Sequence, residues 1–540
     1  MSTPALTVIG LDAATFEVID PLLERGELPS IAGLLETGVG GTLRSTTHPL
    51  TPHAWATMTT GVNAGRHGIW DFTERDESGY QVRVVNGSYR RAPAIWDRLT
   101  AAGRRSGLIN IPFTWPAPAV NGFSLAGLDA AGREGGMAHP GTLLREIQQR
   151  FGALELDHRF PLDRGGEFDL DRVRRASEQK VELALWLTER FDPELLFTVF
   201  MSADHVHHLA WPDWEANGSA SLVAEVYRIL DRSVGTLLDG LGTGGDVLVV
   251  SDHGGGSLEG VVNLNAWLAQ EGYLTFTGGG AQLGRQARDK AFELRRYIPE
   301  GLRHAVKQRL PGVRERIYRR QQYRPIEWSE TRAFAYGTFG SIVVNLRGRE
   351  SEGIVEPGEE YERVRDEVAA KALELRSPEG ERIVAAVHRR EDLFQGPEIE
   401  RLPDLVVEFD RYAWLGKGNL KSREATLWDR IEIQPGSKHS YVGSHRHEGI
   451  VVLAGPSVAA GPRLSASIED VAPTALYLLG EKIPADLEGR LLAEAIDPAV
   501  LDRRPVEYDD ETRVAVGPET PYAADDSAVE ERLRSLGYLE

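Results

Sequence analysis

The sequence predicts an α/β fold in which a mostly parallel central sheet is covered by helices on both faces. Short apolar runs alternate with segments of helical periodicity through the first half of the chain, which is the pattern of a parallel sheet with covering helices. Several of these runs are short and rich in β-branched residues, as expected of fully buried strands. Hydrophobic residues make up 41% of the 540 residues, which is ample for a large core.

The first half of the chain supplies most of the predicted elements. Apolar runs of strand length are separated by longer amphipathic stretches, and prolines and glycines mark the breaks between them. In chain order we expect a strand at 5–11, a helix at 18–37 that restarts at Pro29, a helical patch at 55–60, a helix, a strand and a Pro-rich loop over 94–116, a helix at 171–190, a strand at 195–201, a helix at 219–240 and a strand that begins at Val247.

The chain changes character after Asn265. Residues 277–325 turn strongly basic, which predicts an inserted helical cap that forms a lid or a surface for an anionic partner; a solvated helical face is the simpler alternative. Strands and a helix are predicted within 333–346 and 383–409, as a small α+β segment, and the main sheet resumes at 449–456 before a helix at 468–479. We therefore expect a main domain at 1–265 and 440–500, an insertion at 266–439, and a polar, acidic tail at 501–540 with a terminal helix.

Composition excludes several classes of protein. The formal net charge of -20 argues against a general nucleic-acid binder, although a bound metal could still reverse the local field at a phosphate site. There are no cysteines, so disulfides, thiolate ligands and cysteine nucleophiles are excluded. The N-terminus resembles no signal peptide, and no apolar stretch approaches the length of a membrane span. We expect a soluble cytoplasmic protein, and the sequence gives no indication of its oligomeric state.

Three of the predicted buried strands are followed by an acid, namely Asp12, Asp204 and Asp252. The carboxyl ends of parallel strands form the ligand-binding edge of an open α/β sheet. Three carboxylates that meet there would repel one another unless positive charge lay between them. Metal ions are the simplest source of that charge. For each aspartate alone, a helix N-cap is the simpler interpretation.

Histidines complete the pattern. His208 follows Asp204 by four residues, which places both on one face if the segment is helical. His253 follows Asp252 directly, and His445 and His447 precede the strand at 449–456. Mixed oxygen and nitrogen ligands suit zinc, and also manganese or iron. His205 and His207 are expected to support the ligands from behind or to lie at the surface. His48, His53 and His67 are expected to pack in the core or to contact substrate.

The stretch from Val247 to Gly256, VLVVSDHGGG, concentrates these signals. An Asp-His pair at the end of a buried strand is costly to bury unpaired, and both side chains are good metal ligands. We expect the three glycines to let the backbone turn sharply and to leave open space in front of the pair. The alternative is an ordinary exit from a strand, with the aspartate as a helix cap and the histidine exposed.

A nucleophile is expected in the Thr-rich segment that follows the first strand. Thr51 and Pro52 precede a probable helix, and a hydroxyl at a helix N-terminus lies near backbone N–H groups and the positive end of the helix dipole. A nearby metal would lower the pKa of that hydroxyl. The alternative is that Thr51 serves only as the helix N-cap.

Taken in order, these motifs resemble the alkaline phosphatase superfamily, in its type I phosphodiesterase/nucleotide pyrophosphatase branch. The resemblance covers most of the chain and rests on the segments GLDAAT, TTGVNAGRHGI after Thr51, FMSADHVHH, VVSDHGGG, NLNAWLAQEGYL, GSHRHEGIVVLAGP and IEDVAPTALYLLG. It implies an alkaline-phosphatase-like three-layer αβα sandwich. The inserted helical cap and the small α+β segment would be additions to it.

The resemblance also implies a site with two divalent ions, zinc or manganese, and a covalent phospho-threonine intermediate on Thr51. One ion would lie among Thr51 and the ligands Asp12, Asp252 and His253, and the other would be held by Asp204, His208 and His445. The expected substrate is a small phosphodiester or nucleotide pyrophosphate. The alternative on the same site is a phosphomonoesterase, a phosphotransferase or a sulfatase. The alternative of another class is a non-catalytic, metal-binding regulatory protein that keeps the fold.

The chain departs from the family pattern at the last histidine motif, which reads His445-Arg446-His447-Glu448-Gly449. The preceding glycine favours His445 as the ligand, and His447 stays a rival. The secreted members of the family have signal peptides and disulfides, and neither is seen in this sequence. Asn110 and the segment around His158 are expected to line the substrate pocket.

Overall fold

The fold is given by a computed structural model, which describes residues 3–76, 79–80, 82–130, 135–156, 160–162, 166–277, 326–418, 427–429, 442–510 and 514. Three sequence predictions lie outside the described residues. They concern the basic insertion, apart from its first residue, the terminal helix of the C-terminal tail, and the contribution of His158 to the pocket.

The strands of the described residues follow one another along the whole chain. In chain order they are β1 (Leu6–Leu11), β2 (Val39–Arg44), β3 (Thr73–Arg75), β4 (Val82–Val84), β5 (Ser106–Ile111), β6 (Gly122–Ala126), β7 (Ala138–His139), β8 (Leu195–Phe200), β9 (Asp246–Val250), β10 (Gly254–Ser257), β11 (Gly260–Asn263), β12 (Ala333–Tyr336), β13 (Ser341–Val344), β14 (Val384–Arg389), β15 (Leu405–Phe409), β16 (Trp414–Lys417), β17 (Trp428–Asp429), β18 (Gly443–Arg446), β19 (Glu448–Ala454), β20 (Leu464–Ser467), β21 (Ile483–Pro484) and β22 (Tyr508–Asp509).

The helices of the described residues alternate with these strands. In chain order they are α1 (Phe16–Glu24), α2 (Pro29–Thr37), α3 (Thr51–Thr60), α4 (Ala64–His67), α5 (Ile95–Ala101), α6 (Leu143–Phe151), α7 (Leu170–Phe191), α8 (Ser202–Asn217), α9 (Leu222–Leu241), α10 (Leu264–Gln270), α11 (Glu359–Leu373), α12 (Arg390–Leu393), α13 (Val471–Leu478) and α14 (Pro498–Arg503).

Local sequence explains where the main helices begin and bend. The side chain of Asp169 accepts the N–H of Arg172 at the start of α7, and that of Ser221 accepts the N–H of Ala224 at the start of α9. These N-caps satisfy N–H groups that have no partner within the helix. Helix α8 bends at Ala210, two residues before Pro212, because proline has no N–H to donate and its ring clashes with the preceding turn.

The largest sheet among the described residues has nine strands in the order β20-β2-β19-β9-β1-β8-β5-β6-β7. Strands β9, β1, β8, β5 and β6 run parallel to one another. Strand β19 is antiparallel to both β9 and β2, and β7 is an antiparallel edge strand. The prediction of a central, mostly parallel sheet is therefore confirmed.

Helices cover both faces of this sheet. Strand β1 shows why, because its alternate side chains enter two different cores: Leu6 and Val8 pack with residues of α3, α5 and α13, whereas Ile9 and Leu11 pack with residues of α1, α2, α7, α8 and α9. Burying a side chain such as leucine stabilises the fold by roughly 1.5–3 kcal/mol. Two apolar faces on one sheet therefore require two helical layers, and the predicted α/β fold class is confirmed.

A smaller unit with its own core follows α10. Its antiparallel sheet has the strand order β12-β13-β15-β14, and residues of α11 belong to the same core. The strand pair and helix expected in this part of the chain are thus present. Phe339, in the turn between β12 and β13, and Tyr412, after β15, join the core of the main sheet instead. The smaller unit therefore contributes side chains to the region around α3.

Helices of the described residues are all too short or too polar to cross a membrane.

Candidate active site

Three acids meet at the carboxyl edge of the main sheet, as the sequence predicted. Strand β1 lies between β9 and β8, and Gly10 of β1 is in register with Val250 and Val199. Asp12 and Asp252 leave their strands just beyond this level, and Asp204 lies in the first turn of α8, directly after β8. Neighbouring parallel strands thus deliver the three carboxylates to one place.

All three carboxylates are buried, and each keeps one oxygen without a hydrogen bond: Asp12 Oδ1, Asp204 Oδ1 and Asp252 Oδ2. Burial, together with the charges of the neighbouring aspartates, raises the pKa of Asp12 and Asp252 well above the usual range. Burial also acts to raise the pKa of Asp204, but the imidazoles of His208 and His445 outweigh it and hold that pKa well below its usual range. A buried site with three such oxygens requires compensating positive charge.

Each of the three predicted histidine ligands is oriented by a backbone carbonyl. Nδ1 of His208 lies 3.0 Å from the carbonyl oxygen of Gly443, and Nδ1 of His253 lies 3.0 Å from that of Gly254. Nδ1 of His445 lies 2.6 Å from the carbonyl oxygen of Pro49. A carbonyl only accepts, so Nδ1 must donate in each ring. In each ring Nε2 is then the atom that can turn a lone pair toward a cation, which is the arrangement of histidines that ligate metals.

The Nε2 atoms face the carboxylates. Asp204 Oδ1 lies 3.2 Å from Nε2 of His208 and 3.4 Å from Nε2 of His445. Nε2 of His253 lies 3.3 Å from Asp252 Oδ2 and 3.8 Å from Asp12 Oδ1. The structure thus brings together all six predicted metal ligands.

Two sets of these residues have the geometry of a metal site. Asp12, Asp252 and His253 form one, and Asp204, His253 and His445 form the other, with ligand atoms within 4.8 Å of one another in each. His253 belongs to both sets, whereas the sequence assigned it to one ion alone. Because these atoms are all acceptors and three of them are orphaned carboxylate oxygens, the residues fit divalent ions.

Thr51 is the first residue of α3, and its Oγ1 lies 3.5 Å from Nε2 of His253. The N-cap position is occupied by Leu50, and no side chain caps the helix. The alternative in which Thr51 is merely the N-cap is therefore wrong. The hydroxyl is buried at the N-terminus of a ten-residue helix, where the dipole favours negative charge.

The two rival histidines of the last motif are placed differently. His445 lies in β18, opposite Gly255 of β10, and joins the carboxylate cluster. His447 follows the end of β18, and its Nε2 lies 3.2 Å from Oε1 of Glu408. Glu408 also holds His388 at 2.7 Å. Of the two histidines, it is thus His445 that lies among the possible metal ligands.

Asn110 lies near the end of β5, with a φ of 61°. Its amide nitrogen donates to the carbonyl of Val199 at 3.0 Å, and its buried Oδ1 has no hydrogen bond. Among the described residues no hydrogen bond joins Asn110 to the six predicted metal ligands. It lies at the same edge of the sheet, but its predicted contact with substrate stays a prediction.

Sequence reasoning missed Trp55. Its indole nitrogen donates to Asp12 Oδ2 at 2.9 Å, which leaves Oδ1 directed elsewhere. The ring fits against β1 because residue 10 is glycine, where a Cβ would come within 2.5 Å of the indole. The four-residue spacing from Thr51 to Trp55 was an available signal, since it places both on one face of α3.

The three glycines after His253 do not have the predicted role. They form β10, which pairs with β18, so they do not turn the chain sharply. A Cβ on Gly255 would lie 2.1 Å from Nδ1 of His207, and one on Gly256 would lie 2.3 Å from the Arg446 guanidinium. The space in front of them is filled. These glycines allow close packing against the strand that carries His445.

The five other histidines considered in the sequence are all buried, and their contacts are with neighbouring side chains of the core. Nε2 of His207 bonds to the hydroxyl of Tyr227 at 3.2 Å, and the ring of His205 packs against Phe160. Neither lies at the surface. Burial lowers the pKa of His48 and of His53 to about 3, and that of His67 well below its usual range. The ring of Trp70 packs against those of His48, in the loop before α3, and His53, in α3 itself.

Comparison with known proteins gives a family match and chains of similar fold. The model of the family described as type I phosphodiesterase / nucleotide pyrophosphatase matches residues 6–445. No curated protein matches the chain. Phosphonoacetate hydrolase from Sinorhizobium meliloti 1021, solved with phosphonoformate, has 15% sequence identity and a TM-score of 0.53, covering 88% of this chain and 95% of that chain. Murine ectonucleotide pyrophosphatase / phosphodiesterase 5 has 14% identity and a TM-score of 0.48, covering 91% of this chain and 100% of that chain.

Proposed function

The chain belongs to the type I phosphodiesterase / nucleotide pyrophosphatase family of phosphoric-ester hydrolases, and from this premise we propose that it hydrolyses a small phosphodiester or nucleotide pyrophosphate through Thr51. The observation that carries the proposal is the position of the Thr51 hydroxyl. It is buried at the start of α3 and lies 3.5 Å from Nε2 of His253, the residue shared by the two sets of possible metal ligands.

The six residues at the sheet edge would hold two divalent ions, zinc or manganese. Asp12, Asp252 and His253 would bind one, beside Thr51, and Asp204, His208 and His445 the other. Such ions act as Lewis acids toward phosphoryl oxygens and lower the pKa of a bound hydroxyl or water. The orphaned carboxylate oxygens and the oriented Nε2 atoms support this assignment.

Thr51 supplies the nucleophile. Its Oγ1 would form a bond to phosphorus as the bond to the ester oxygen breaks, and the alcohol or phosphate part of the substrate would leave. Water would then break the threonine–phosphorus bond and restore the hydroxyl. The N-terminus of α3 favours the negative charge of the phosphoryl oxygens during both steps. Asn110 would contact the substrate from the end of β5.

The division of the chain belongs to the same proposal. Segments 1–265 and 440–500 would form the catalytic domain, since they carry the six metal ligands and Thr51. Segment 266–439 would be an insertion, and 501–540 a tail. A small phosphate ester is the proposed partner, and a cytoplasmic location stays a prediction.

The proposal is tested with a substrate panel on the metal-loaded protein and on Thr51→Ala. We expect turnover of aryl phosphodiesters or nucleotide pyrophosphates to exceed that of phosphomonoesters and sulfates. Without a nucleophile, Thr51→Ala should lose at least about a thousandfold in kcat. Thr60→Ala is the matched control, because that hydroxyl bonds only within its own helix, to the carbonyl of Ala56.

Unchanged turnover in Thr51→Ala would remove Thr51 as the nucleophile. A preference for monoesters or sulfates would show that the proposed substrate class is wrong, and the proposed site would stand. No turnover of any ester by the metal-loaded protein would favour a regulatory protein that keeps the fold.

A further inference from the structure

The loop that precedes Thr51 is held in a conformation that its residues do not favour. His48 has a φ of 52°, in the left-handed region that residues other than glycine seldom adopt. Such a conformation costs roughly 1–3 kcal/mol and persists only where surrounding contacts enforce it. Within the loop, Oγ1 of Thr46 and the N–H of Leu50 both donate to the carbonyl of His48.

Two hydrogen bonds hold His48 from outside the loop, and both come from the smaller unit, far away in sequence. Its N–H donates to the hydroxyl of Tyr412 at 3.0 Å, and its Nε2 lies 3.3 Å from the carbonyl oxygen of Val407 in β15. Because a carbonyl only accepts, Nε2 is the donor. Backbone and side chain of His48 are therefore both fixed by the segment that follows β13.

Tyr412 is itself rigidly placed. It ends a 3-10 turn after β15, it has a φ of 49°, and its side chain is fully buried in the core of the main sheet. Its ring meets the ring of His48 edge to face, with centroids 6.1 Å apart. A tyrosine with this little freedom can fix the position of the backbone to which it bonds.

The same loop touches both halves of the catalytic site. The carbonyl of Pro49, next to His48, accepts the Nδ1–H of His445 at 2.6 Å. Leu50 is the N-cap of α3, and Thr51 is its first residue. A displacement of His48 would therefore move the Thr51 hydroxyl and release the ring of His445 together.

We infer that Tyr412 is a positioning residue, which holds the loop 46–50 so that Thr51 and His445 stay aligned. The inference rests on the proposed function, and it makes the smaller unit a part of the active site. In-line attack depends on the distance and direction of the nucleophile, and a misplacement of about 1 Å can cost on the order of a hundredfold in rate.

Tyr412→Phe tests the inference, because it removes the hydroxyl and keeps the ring. Two quantities are measured: amide hydrogen exchange of peptides spanning 46–54, and the steady-state constants on the preferred substrate. We expect exchange in these peptides to rise about tenfold, since the His48 N–H loses its acceptor. We expect kcat to fall about tenfold or more, with KM within about twofold of the original value.

Tyr361→Phe is the matched control. It removes another buried tyrosine hydroxyl of the same unit, which donates to Asp404 Oδ1 at 2.6 Å and, within the described part of the chain, makes no hydrogen bond to the loop 46–50. It should leave both exchange in 46–54 and kcat unchanged. His48→Asn is a companion variant: asparagine tolerates the left-handed region and keeps the N–H that donates to Tyr412, while the side-chain bond to Val407 is lost, so that its effect separates the Val407 bond from that of the Tyr412 hydroxyl.

Two results would overturn the inference. Unchanged exchange in 46–54 would show that Tyr412 does not hold the loop. Faster exchange with unchanged kcat would show that catalysis does not depend on the rigidity of the loop. If the unaltered protein hydrolyses no ester, the proposed function fails, whereas the exchange experiment still decides whether Tyr412 fixes the loop.

Discussion

At the scale of single residues, the main feature of the site is that several charged side chains are buried together. Asp252 and His253 alone are compatible with an ordinary strand exit. Beside Asp12 and Asp204 they form a buried group of acceptors, in which burial and then the neighbouring aspartates raise the pKa of Asp12 and Asp252. Fully buried carboxylates of this kind destabilise a fold unless a cation compensates them. Their burial at one place therefore supports the proposed metal site.

Asp252→Asn should lose at least one of the two proposed metal ions and leave the fold intact. The amide keeps the shape and the acceptor for the Ala13 N–H, but it removes the charge and one ligand oxygen. We expect the metal content to fall from two ions per chain to at most one, measured by elemental analysis, with an unchanged circular dichroism spectrum.

Asp246→Asn is the control for this substitution, since it lies at the opposite end of the same strand and accepts the Ser457 N–H. It should keep both ions. Full occupancy in Asp252→Asn would show that Asp252 is not a ligand.

Asp71 gives a prediction about pH that is independent of the metals. Burial raises its pKa to about 7, and its Oδ2 has no hydrogen bond. Because the folded pKa exceeds the unfolded one, this group's contribution to stability is fully present below about pH 4 and is lost as pH rises through about 7. Asp71→Asn removes that loss, so its advantage in unfolding free energy over the original protein should grow by roughly 3 kcal/mol between pH 5 and pH 8.

The advantage is measured by urea unfolding of both proteins at the two pH values. A difference that is independent of pH would mean that Asp71 is ionised in the folded protein throughout this range.

At the scale of elements, the strand β10 links the two halves of the site. It follows His253 directly and pairs with β18, so that Gly255 lies opposite His445. Its glycines are needed because β10 packs against the ring of His207 on one side and the Arg446 guanidinium on the other. Any side chain there would push the two ligand-bearing segments apart.

Gly255→Ala should therefore damage the site through packing alone. The new Cβ would lie 2.1 Å from His207 Nδ1, which forces β10 to shift. We expect a loss of stability of roughly 1–3 kcal/mol and a metal affinity reduced at least about tenfold. Both are measured on one preparation, by thermal unfolding and by competition with a chelator.

Gly33→Ala in α2 is the control, because a Cβ there meets nothing within 4 Å. Alanine at an open helical position should stabilise the protein by roughly 0.5–1 kcal/mol and leave metal affinity unchanged. Equal behaviour of the two variants would show that the spacing between β10 and its neighbours is not critical.

Local sequence signals predicted the elements that carry the site, and they failed where two distant segments meet. The apolar runs before Asp12, Asp204 and Asp252 were sufficient to place three acids at one sheet edge, and the four-residue spacing placed His208 beside Asp204. The choice of His445 over His447 depends on where β18 ends, and the role of Gly255 depends on what packs against it. The bond from Tyr412 to His48 joins residues 364 positions apart, so no local pattern reports it.

At the scale of the whole molecule, one edge of the main sheet and residues of the smaller unit meet at the candidate site. The alkaline-phosphatase-like fold predicted from the motifs is confirmed, as is membership in the type I phosphodiesterase / nucleotide pyrophosphatase family. Asp12 and Asp252 follow strands of the main sheet, Asp204 and His208 lie in α8, His445 lies in β18, and Thr51 begins α3. The smaller unit contributes Tyr412 and Val407, which contact the loop before α3.

The central claim is that Thr51 forms a covalent bond to phosphorus during turnover. The most direct measurement is to quench the metal-loaded protein with acid during hydrolysis of its preferred ester and to map the adduct by peptide mass spectrometry. The account predicts one phosphoryl-containing group on Thr51, formed at least as fast as the steady-state turnover and absent from Thr51→Ala. Turnover without any adduct on Thr51, at a rate that Thr51→Ala shares, would contradict it.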